Sequence, residues 1–276
     1  MTDNRPILIV GGGGKTGARV NTLLRSRGIA TRPVSRSSDI PFDWTSRETW
    51  ASALNGVSKA YVTYQPDLAV DGADEDIAEL SRLAREEGLE HIVLLSGRGE
   101  PGAQRAEIAL RKSGVSWTNV RASWFNQNFS EGAFRDSILA GELALPAGPV
   151  PEPFIDADDI ADVVLAALTE DGHTNRLYEV TGPRALTFAE AVDEIANAVG
   201  RPIRYRQIPV EAFVEQMRPH APEEMITLLV ELFTVVLDGR NVEVMSGVEE
   251  ALGRRPLDFT DYARRAAGSG AWSIAG

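Results

Sequence analysis

A chain of 276 residues, 43% hydrophobic and 25% charged, is long enough to bury a large core and has the make-up of a folded protein, which excludes disorder. Its 40 acidic against 28 basic side chains leave a net charge of −12 at pH 7, a balance that disfavours nucleic acid and anionic membrane as partners. There is no cysteine, so disulfides, thiolate nucleophiles and thiolate metal sites are excluded together, and no apolar run reaches the roughly 18 residues of a membrane span.

The start, MTDNRP, runs straight into an apolar stretch without a secretory pattern, so a cytoplasmic location is expected. Residues 6–10 predict the first strand. A helix follows from about residue 16, with Val20, Leu23 and Leu24 on one face and Gly28 as its stop. Residues 30–35 predict strand two, and 45–54 a short helix carrying Trp50 and Leu54 and ended by Gly56. A third strand is expected at 59–64. Residues 74–87 place Ile77, Leu80, Leu83 and Ala84 at helical spacing before Gly88. A strand at 91–96, a helix at 105–112 ended by Gly114 and a strand at 116–121 complete the series. Short apolar runs alternating with amphipathic segments are the pattern of βαβ units around a parallel sheet.

Beyond Arg121 the rhythm changes. Residues 123–148 are rich in aromatic and amide residues, then in Gly and Pro, and predict loop with one helix. Residues 154–158 lead into a helix with Ile160, Val163, Val164, Ala167 and Leu168 on one side, and 177–181 predict one more strand of the same sheet. Thr187 opens a helix with a capping box, because Glu190 stands three residues on. The remainder predicts helix, apart from a strand at 203–208. The expected fold is therefore α/β, a Rossmann-like doubly wound parallel sheet with a smaller, mainly helical C-terminal lobe. Residues 1–121 and 154–181 would form the nucleotide-binding domain, and 122–153 and 182–276 a lobe capping the substrate.

Strand one ends in Gly11-Gly12-Gly13-Gly14-Lys15-Thr16-Gly17, in which Gly11, Gly14 and Gly17 are the key positions. A strand, a tight glycine turn and a helix in succession let backbone amides approach a pyrophosphate while the helix turns its positive end to that anion. Four successive glycines could by themselves make only a flexible loop; their strand–helix context favours the cofactor reading. About 20 residues on, where an NAD site would place an acid, stand Ser35 and Arg36, with no acid before Asp39. A guanidinium suits a 2′-phosphate, so NADP(H) is expected over NAD, with Lys15 assisting. A solvated Arg36 and a helix-start Lys15 are the plainer alternative.

On these residues the chain resembles the NmrA-like group of atypical short-chain dehydrogenases/reductases, and within it the ergot-alkaloid iminium reductases of the agroclavine dehydrogenase type and their bacterial relatives. The resemblance spans nearly the whole chain. It is carried by ILIVGGGGKTGARV (7–20), FDWTSRETWASALNGV (42–57), HIVLLSGRG (91–99), SGVSWTNVRASWFNQNF (113–129), FIDADDIADV (154–163) and YEVTGPRALTFAEA (178–191). It implies a cofactor across the carboxyl edge of the sheet. Adenine would lie near Asp43 and Trp44, and ribose and nicotinamide near Tyr64, Gln65, Pro66 and Ser96. Trp124, Phe125 and Asn126 would close the far end.

Ordinary members of that superfamily pair a Tyr with a Lys four residues later, which lowers the phenol pKa for proton transfer. Here the residues four positions after Tyr61, Tyr64, Tyr178, Tyr205 and Tyr262 are Gln65, Leu68, Gly182, Pro209 and Ala266. The pair is absent. Two readings stay open. One is a reductase transferring hydride to a small organic electrophile, such as an iminium ion, a quinone or an enone, with Tyr64 as a weak donor if it is not simply structural. The other is a protein that binds NADP(H) without turnover and reports the redox ratio to a partner. The aromatic walls and amides of 123–129 favour the reductase and a small-molecule pocket.

Trp124, Phe125 and Phe129 suit core as well as pocket, and Asn126 and Asn128 either orient a ligand or satisfy loop backbone. Asp156, Asp158 and Asp159, ahead of an apolar helix, read as capping and dipole residues. His91, His173 and His220 share no ligand spacing, so no metal is expected. Met217, Met225 and the face Leu228, Leu229, Leu232, Phe233, Val236 form a packed helix, a pocket cover or a dimer contact. The state is expected to be monomer or homodimer.

Overall fold

Apolar, β-branched runs become strands where the pattern places them. In the computed structural model, which describes residues 4–273, the strands are β1 (Ile7–Val10), β2 (Thr31–Val34), β3 (Lys59–Val62), β4 (His91–Gly97), β5 (Ser116–Ala122), β6 (Glu142–Leu145), β7 (Arg176–Val180) and β8 (Arg204–Gln207). The helices are α1 (Lys15–Ser26), α2 (Trp50–Leu54), α3 (Ala73–Glu86), α4 (Pro101–Lys112), α5 (Arg135–Ala140), α6 (Ala157–Thr169), α7 (Phe188–Val199), α8 (Val210–Met217), α9 (Glu223–Glu231), α10 (Gly247–Leu252) and α11 (Phe259–Gly268). The chain divides into two compact units. The first holds Met1–Ala122, Ala157–Val180 and Ser246–Arg254, and the second Ser123–Asp156, Thr181–Met245 and Arg255–Gly276.

The first unit is a six-stranded parallel sheet of order β2-β1-β3-β4-β5-β7. Strand order reverses between β1 and β3, which makes that crevice the topological switch point. Leu8, Val10, Ile92 and Leu94 pack with Trp50, Leu54, Ile77, Leu80 and Leu110 of α2, α3 and α4. The other face carries α1 and α6. Both faces are covered, as a parallel sheet requires. Helix α4 starts at residue 101, earlier than the expected 105, because Pro101 fits the first turn, where its missing N–H costs nothing. Residues 246–254, expected in the C-terminal lobe, instead belong with the sheet. A β-carbon on Gly247 would meet the Glu179 carbonyl oxygen at 2.2 Å, and Arg254 bonds Asp159 (2.6 Å) and Asp162 (2.5 Å) of α6.

At the amino ends of β4 and β5 lies a closed polar cluster. His91 Nδ1 is 2.7 Å from Ser116 Oγ and Nε2 is 3.0 Å from Thr118 Oγ1, while Thr118 donates to the His173 carbonyl (2.6 Å). Thr118 thereby accepts from Nε2–H, leaving Nδ1 to accept from Ser116. Burial, with smaller contributions from Lys59 and His173, pulls the His91 pKa down to about 4. Between that value and the ordinary His pKa the unfolded chain binds a proton that the folded chain refuses, so stability falls as pH drops through this window. The expected loss attributable to His91 is about 2 kcal/mol between about pH 7 and pH 5. Urea unfolding of wild type and His91→Asn at both values checks it: the variant should lose less stability on acidification. Parallel losses would remove the assignment.

The second unit is built on Phe129, Phe134, Phe154, Phe188 and Phe259, which meet edge-on or tilted with centroids 5.1–6.2 Å apart. Thr187 and Glu190 form the expected capping box: Thr187 Oγ1 accepts from the Glu190 amide and Glu190 Oε2 from the Thr187 amide (3.1 and 2.8 Å). Segment 123–148, expected as loop with one helix, also contains β6, which pairs in parallel with β8. Helix α9 continues into a π-helical turn, Leu232–Val236, burying Phe233 and Val236 while Val235 stays 42% exposed. Among the described residues no helix is long and apolar enough to cross a membrane.

Candidate functional site

At Gly11, Gly12 and Gly17, in and just after the turn that follows β1, only a hydrogen atom fits. The amides of Gly11 and Gly12 both reach the Val34 carbonyl at 3.2 Å, and the Gly14 amide reaches Gly11 O at 2.9 Å. Gly11 adopts φ +77°, and a β-carbon there would lie 2.2 Å from Thr63 Oγ1. A β-carbon on Gly17 would lie 2.3 Å from the Gly11 carbonyl oxygen, so turn and helix touch backbone to backbone. The first turn of α1 holds no acid and no side chain caps it. Its positive end is thus left for an external anion. The residues present fit a pyrophosphate.

Thr16, expected at the cofactor, is buried, and its hydroxyl accepts from Tyr61 Oη at 2.9 Å. It ties the start of α1 to β3. Lys15 is half-buried on the same turn. After β2, Ser35 closes a small turn in which its amide donates to Ser38 Oγ at 2.9 Å. Arg36 is exposed there and makes no hydrogen bond or salt bridge with any described residue. The Thr45 amide and hydroxyl hold the Asp43 carboxyl below the usual range, with a smaller pull from Arg36. Trp44 lies in an aromatic cluster with Phe42 and Trp50, and its indole N–H donates to Thr63 O at 3.1 Å.

Tyr64 stacks obliquely on Trp44 (4.4 Å) and donates its hydroxyl to Asp76 at 2.7 Å. Burial, and then Asp76 itself, raises the phenol pKa. Asp76 is also gripped by Arg47 through Nε (3.0 Å) and Nη2 (2.6 Å). A phenol held in this way surrenders its proton less readily than an ordinary tyrosine, which argues against Tyr64 as the donor. Gln65 and Pro66 follow in the open, joined by a cis peptide.

Ser96 is buried near the carboxyl end of β4 and donates to Glu107 Oε1 at 2.7 Å. Glu107 is 0% exposed and is held by Arg121 through Nε (2.8 Å) and Nη2 (2.5 Å), while Arg121 also bonds Glu179. The Ser96 oxygen is left as an acceptor, not a donor. Two further carboxyls escaped the sequence reading. Asp67 accepts from the Ala69 amide at 2.8 Å, and burial raises the Asp67 pKa. The Glu100 carboxyl, 9% exposed, lies so close over Gly97 that a β-carbon there would come within 2.3–2.4 Å of its three atoms.

In the second unit, the half-buried Trp124 ring packs against Phe188 (5.4 Å) and Phe233 (5.2 Å). Phe125 is half-buried, and Phe129 is fully in the core. Asn126 is completely buried, and neither polar atom of its side chain has a partner among the described residues. Asn128 is half-buried beside it in the same 3₁₀ turn. Gln127, not expected at the site, instead donates to the buried Asp156 (2.7 Å), which also accepts from Arg265. Asp158 and Asp159 pair with Arg19 and Arg254. Among the described residues no group of three His, Asp or Glu is arranged for a metal.

The NmrA-like family model matches residues 104–263. The NAD(P)H azoreductase of Xenophilus azovorans is 30% identical, with 94% of this chain and 96% of the relative covered. Agroclavine dehydrogenase of Claviceps fusiformis is 27% identical over 93% and 95%. The crystal structure of an NADPH-dependent quinone oxidoreductase from Escherichia coli, complexed with NADPH, covers 94% of this chain and 99% of its own at a TM-score of 0.78 and 18% identity, which shows a shared fold. With the glycine turn, the sheet order and this full-length similarity in agreement, the chain belongs to the NmrA-like family.

Proposed function

We propose that this protein is an NADP(H)-dependent reductase that delivers hydride to a small organic electrophile. The observation that carries the reading is the glycine turn, where Gly11 and Gly17 leave no room for a β-carbon at the uncapped start of α1. When bound, the dihydronicotinamide supplies the hydride. The chain's own work is to seat the diphosphate on the backbone of residues 11–17, to read the 2′-phosphate with Arg36 and Lys15, and to orient the reactants. The azoreductase and agroclavine dehydrogenase relatives support an enzyme acting on small organic molecules. Asn126 and Asn128, with the Trp124 and Phe125 rings, are the second unit's candidates for recognising the substrate.

Arg36 sets cofactor choice in this reading, because an uncommitted guanidinium offers a forked, permanently charged partner to a phosphate. Arg36→Ala is expected to weaken NADPH by about 10-fold to 100-fold, a loss of about 1.5–3 kcal/mol for a charge-assisted contact, and to leave NADH within about two-fold. Calorimetric titration with both nucleotides checks this, and an equal loss for both would remove the role. Steady NADPH oxidation with an azo dye, a quinone or a cyclic iminium supports the reductase. Tight NADPH binding with no turnover on such a panel would replace it by the redox-reporter reading.

A further inference from the structure

Helices α7 and α11 of the second unit pack on each other. Their last turns carry small residues, Ala198 on α7 and Ala267 and Gly268 on α11. Such residues leave the space between two helices unfilled, and a groove of about 580 Å3 opens there, within the size range of a small-molecule site. Trp272 forms part of its wall, a buried ring whose indole N–H donates to Phe129 O at 2.8 Å. Two guanidiniums, Arg201 and Arg264, also line the groove, and among the described residues no acid does.

The chain carries 40 acidic against 28 basic side chains, yet neither arginine is matched by a close carboxylate. Gly200 ends α7 in the left-handed region at φ +75°, and the chain turns so that Arg201 reaches α5. Arg201 Nη2 donates to the carbonyls of Ile138 (2.9 Å) and Leu139 (3.3 Å). Its Nε is enclosed and has no partner among the described residues. Arg264 is exposed, and its described partner, Asp261, stands at 3.6 Å, outside hydrogen-bond range. Neither guanidinium bonds a terminal carbonyl of α7 or α11, so capping of those two helices does not account for the pair. A half-buried cation without a counter-charge is costly, and an anionic ligand would relieve it.

We propose that this groove binds a carboxylate carrying a compact apolar body. Arg201 and Arg264 meet the carboxylate, whose two oxygens match the guanidinium fork. Ala198, Val199, Ala267 and the Trp272 ring take the body. A bare phosphate satisfies the charges and leaves that apolar lining unused. The site lies wholly within the second unit, shares no residue with the glycine turn, and stands independent of the reductase reading.

Calorimetric titration of the full chain with naphthoate should give saturable binding with a dissociation constant of about 1 mM or tighter. The Trp272 indole N–H resonance should shift along the same curve. Naphthylmethanol, which keeps the rings and drops the charge, and inorganic phosphate, which does the reverse, should each bind at least about 10-fold more weakly. Arg264→Gln should weaken naphthoate by at least about 10-fold, the size of a charge-assisted contact. Gly268→Leu fills the groove without touching either charge, since a β-carbon there meets nothing within 4 Å, and should abolish binding; thermal melts show that both variants are folded. No saturable heat, equal binding of naphthylmethanol or of phosphate, or naphthoate affinity that survives Gly268→Leu would each overturn the site. Arg201→Lys keeps the charge and loses the fork, so it should weaken naphthoate as well. If that variant melts lower but binds naphthoate as wild type does, Arg201 is a cap of α5 alone and the two-arginine clamp is overturned.

Discussion

Replacing Gly17 with alanine is expected to weaken NADPH binding by at least about 100-fold, close to 3 kcal/mol. The added β-carbon would sit 2.3 Å from Gly11 O, 2.9 Å from Gly11 C and 3.1 Å from Gly12 Cα. All three are main-chain atoms of the turn, so no side chain can swing aside. Relief requires the helix and the turn to part, which moves the amides that would face the diphosphate out of register. The fold should survive, at a cost of about 1–3 kcal/mol for overpacking. Gly13→Ala is the companion, since nothing lies within 4 Å of its β-carbon, and its melting temperature should match wild type. Calorimetry and thermal melts on the two variants separate cofactor seating from folding. A Gly17→Ala protein that binds NADPH normally would show that the anion is held elsewhere.

The largest stability effect is expected at Arg121. Its guanidinium grips Glu107, which has no exposure to water, and reaches Glu179 as well. Arg121→Ala would strand a carboxylate in the packed interface between the sheet and α4, and breaking a buried pair from one side costs about 3–5 kcal/mol. Arg82→Ala provides the contrast. That side chain is 51% exposed and pairs with Glu79 and Glu86 on the surface of α3, where solvent screening leaves an ion pair little effect on stability. A joint Arg121→Met, Glu107→Met variant should recover part of the loss, because Glu107 is no longer a stranded charge and Glu179 keeps Arg98 at 3.5 Å, while Ser96 loses its acceptor. Urea unfolding of the three proteins checks the order. If Arg121→Ala costs no more than Arg82→Ala, Glu107 does not depend on its arginine.

The parallel sheet is legible in the chain because β1, β3 and β4 are largely buried on both faces and so appear as apolar runs between helix-period segments. The glycine turn is equally plain, since a β-carbon at Gly11, Gly12 or Gly17 would collide with neighbouring atoms. β6 was hidden because ELAL is four residues long and finds its partner β8 only some sixty positions later. What joins residues 246–254 to the sheet is long-range and leaves no local pattern: the Gly247–Glu179 approach and the Arg254 ion pairs. Asp76 and Glu107 leave no motif at all. Each takes its meaning from a partner on another element, and a carboxylate in a turn or on a helix face looks solvated until that partner is placed. The Tyr64 hydroxyl is a further instance, since Asp76 alone changes its character.

The interleaving of the two units has a practical consequence for engineering. The polypeptide passes from one unit to the other after residues 122, 156, 180, 245 and 254, so neither unit corresponds to an uninterrupted gene fragment. A truncation at residue 245 would delete α10 and strip Asp159 and Asp162 of Arg254, harming the first unit by an excision that removes only the tail of the sequence. Exchanging the second unit for that of a relative therefore calls for three separate stretches to be transplanted together, with α10 retained from the host.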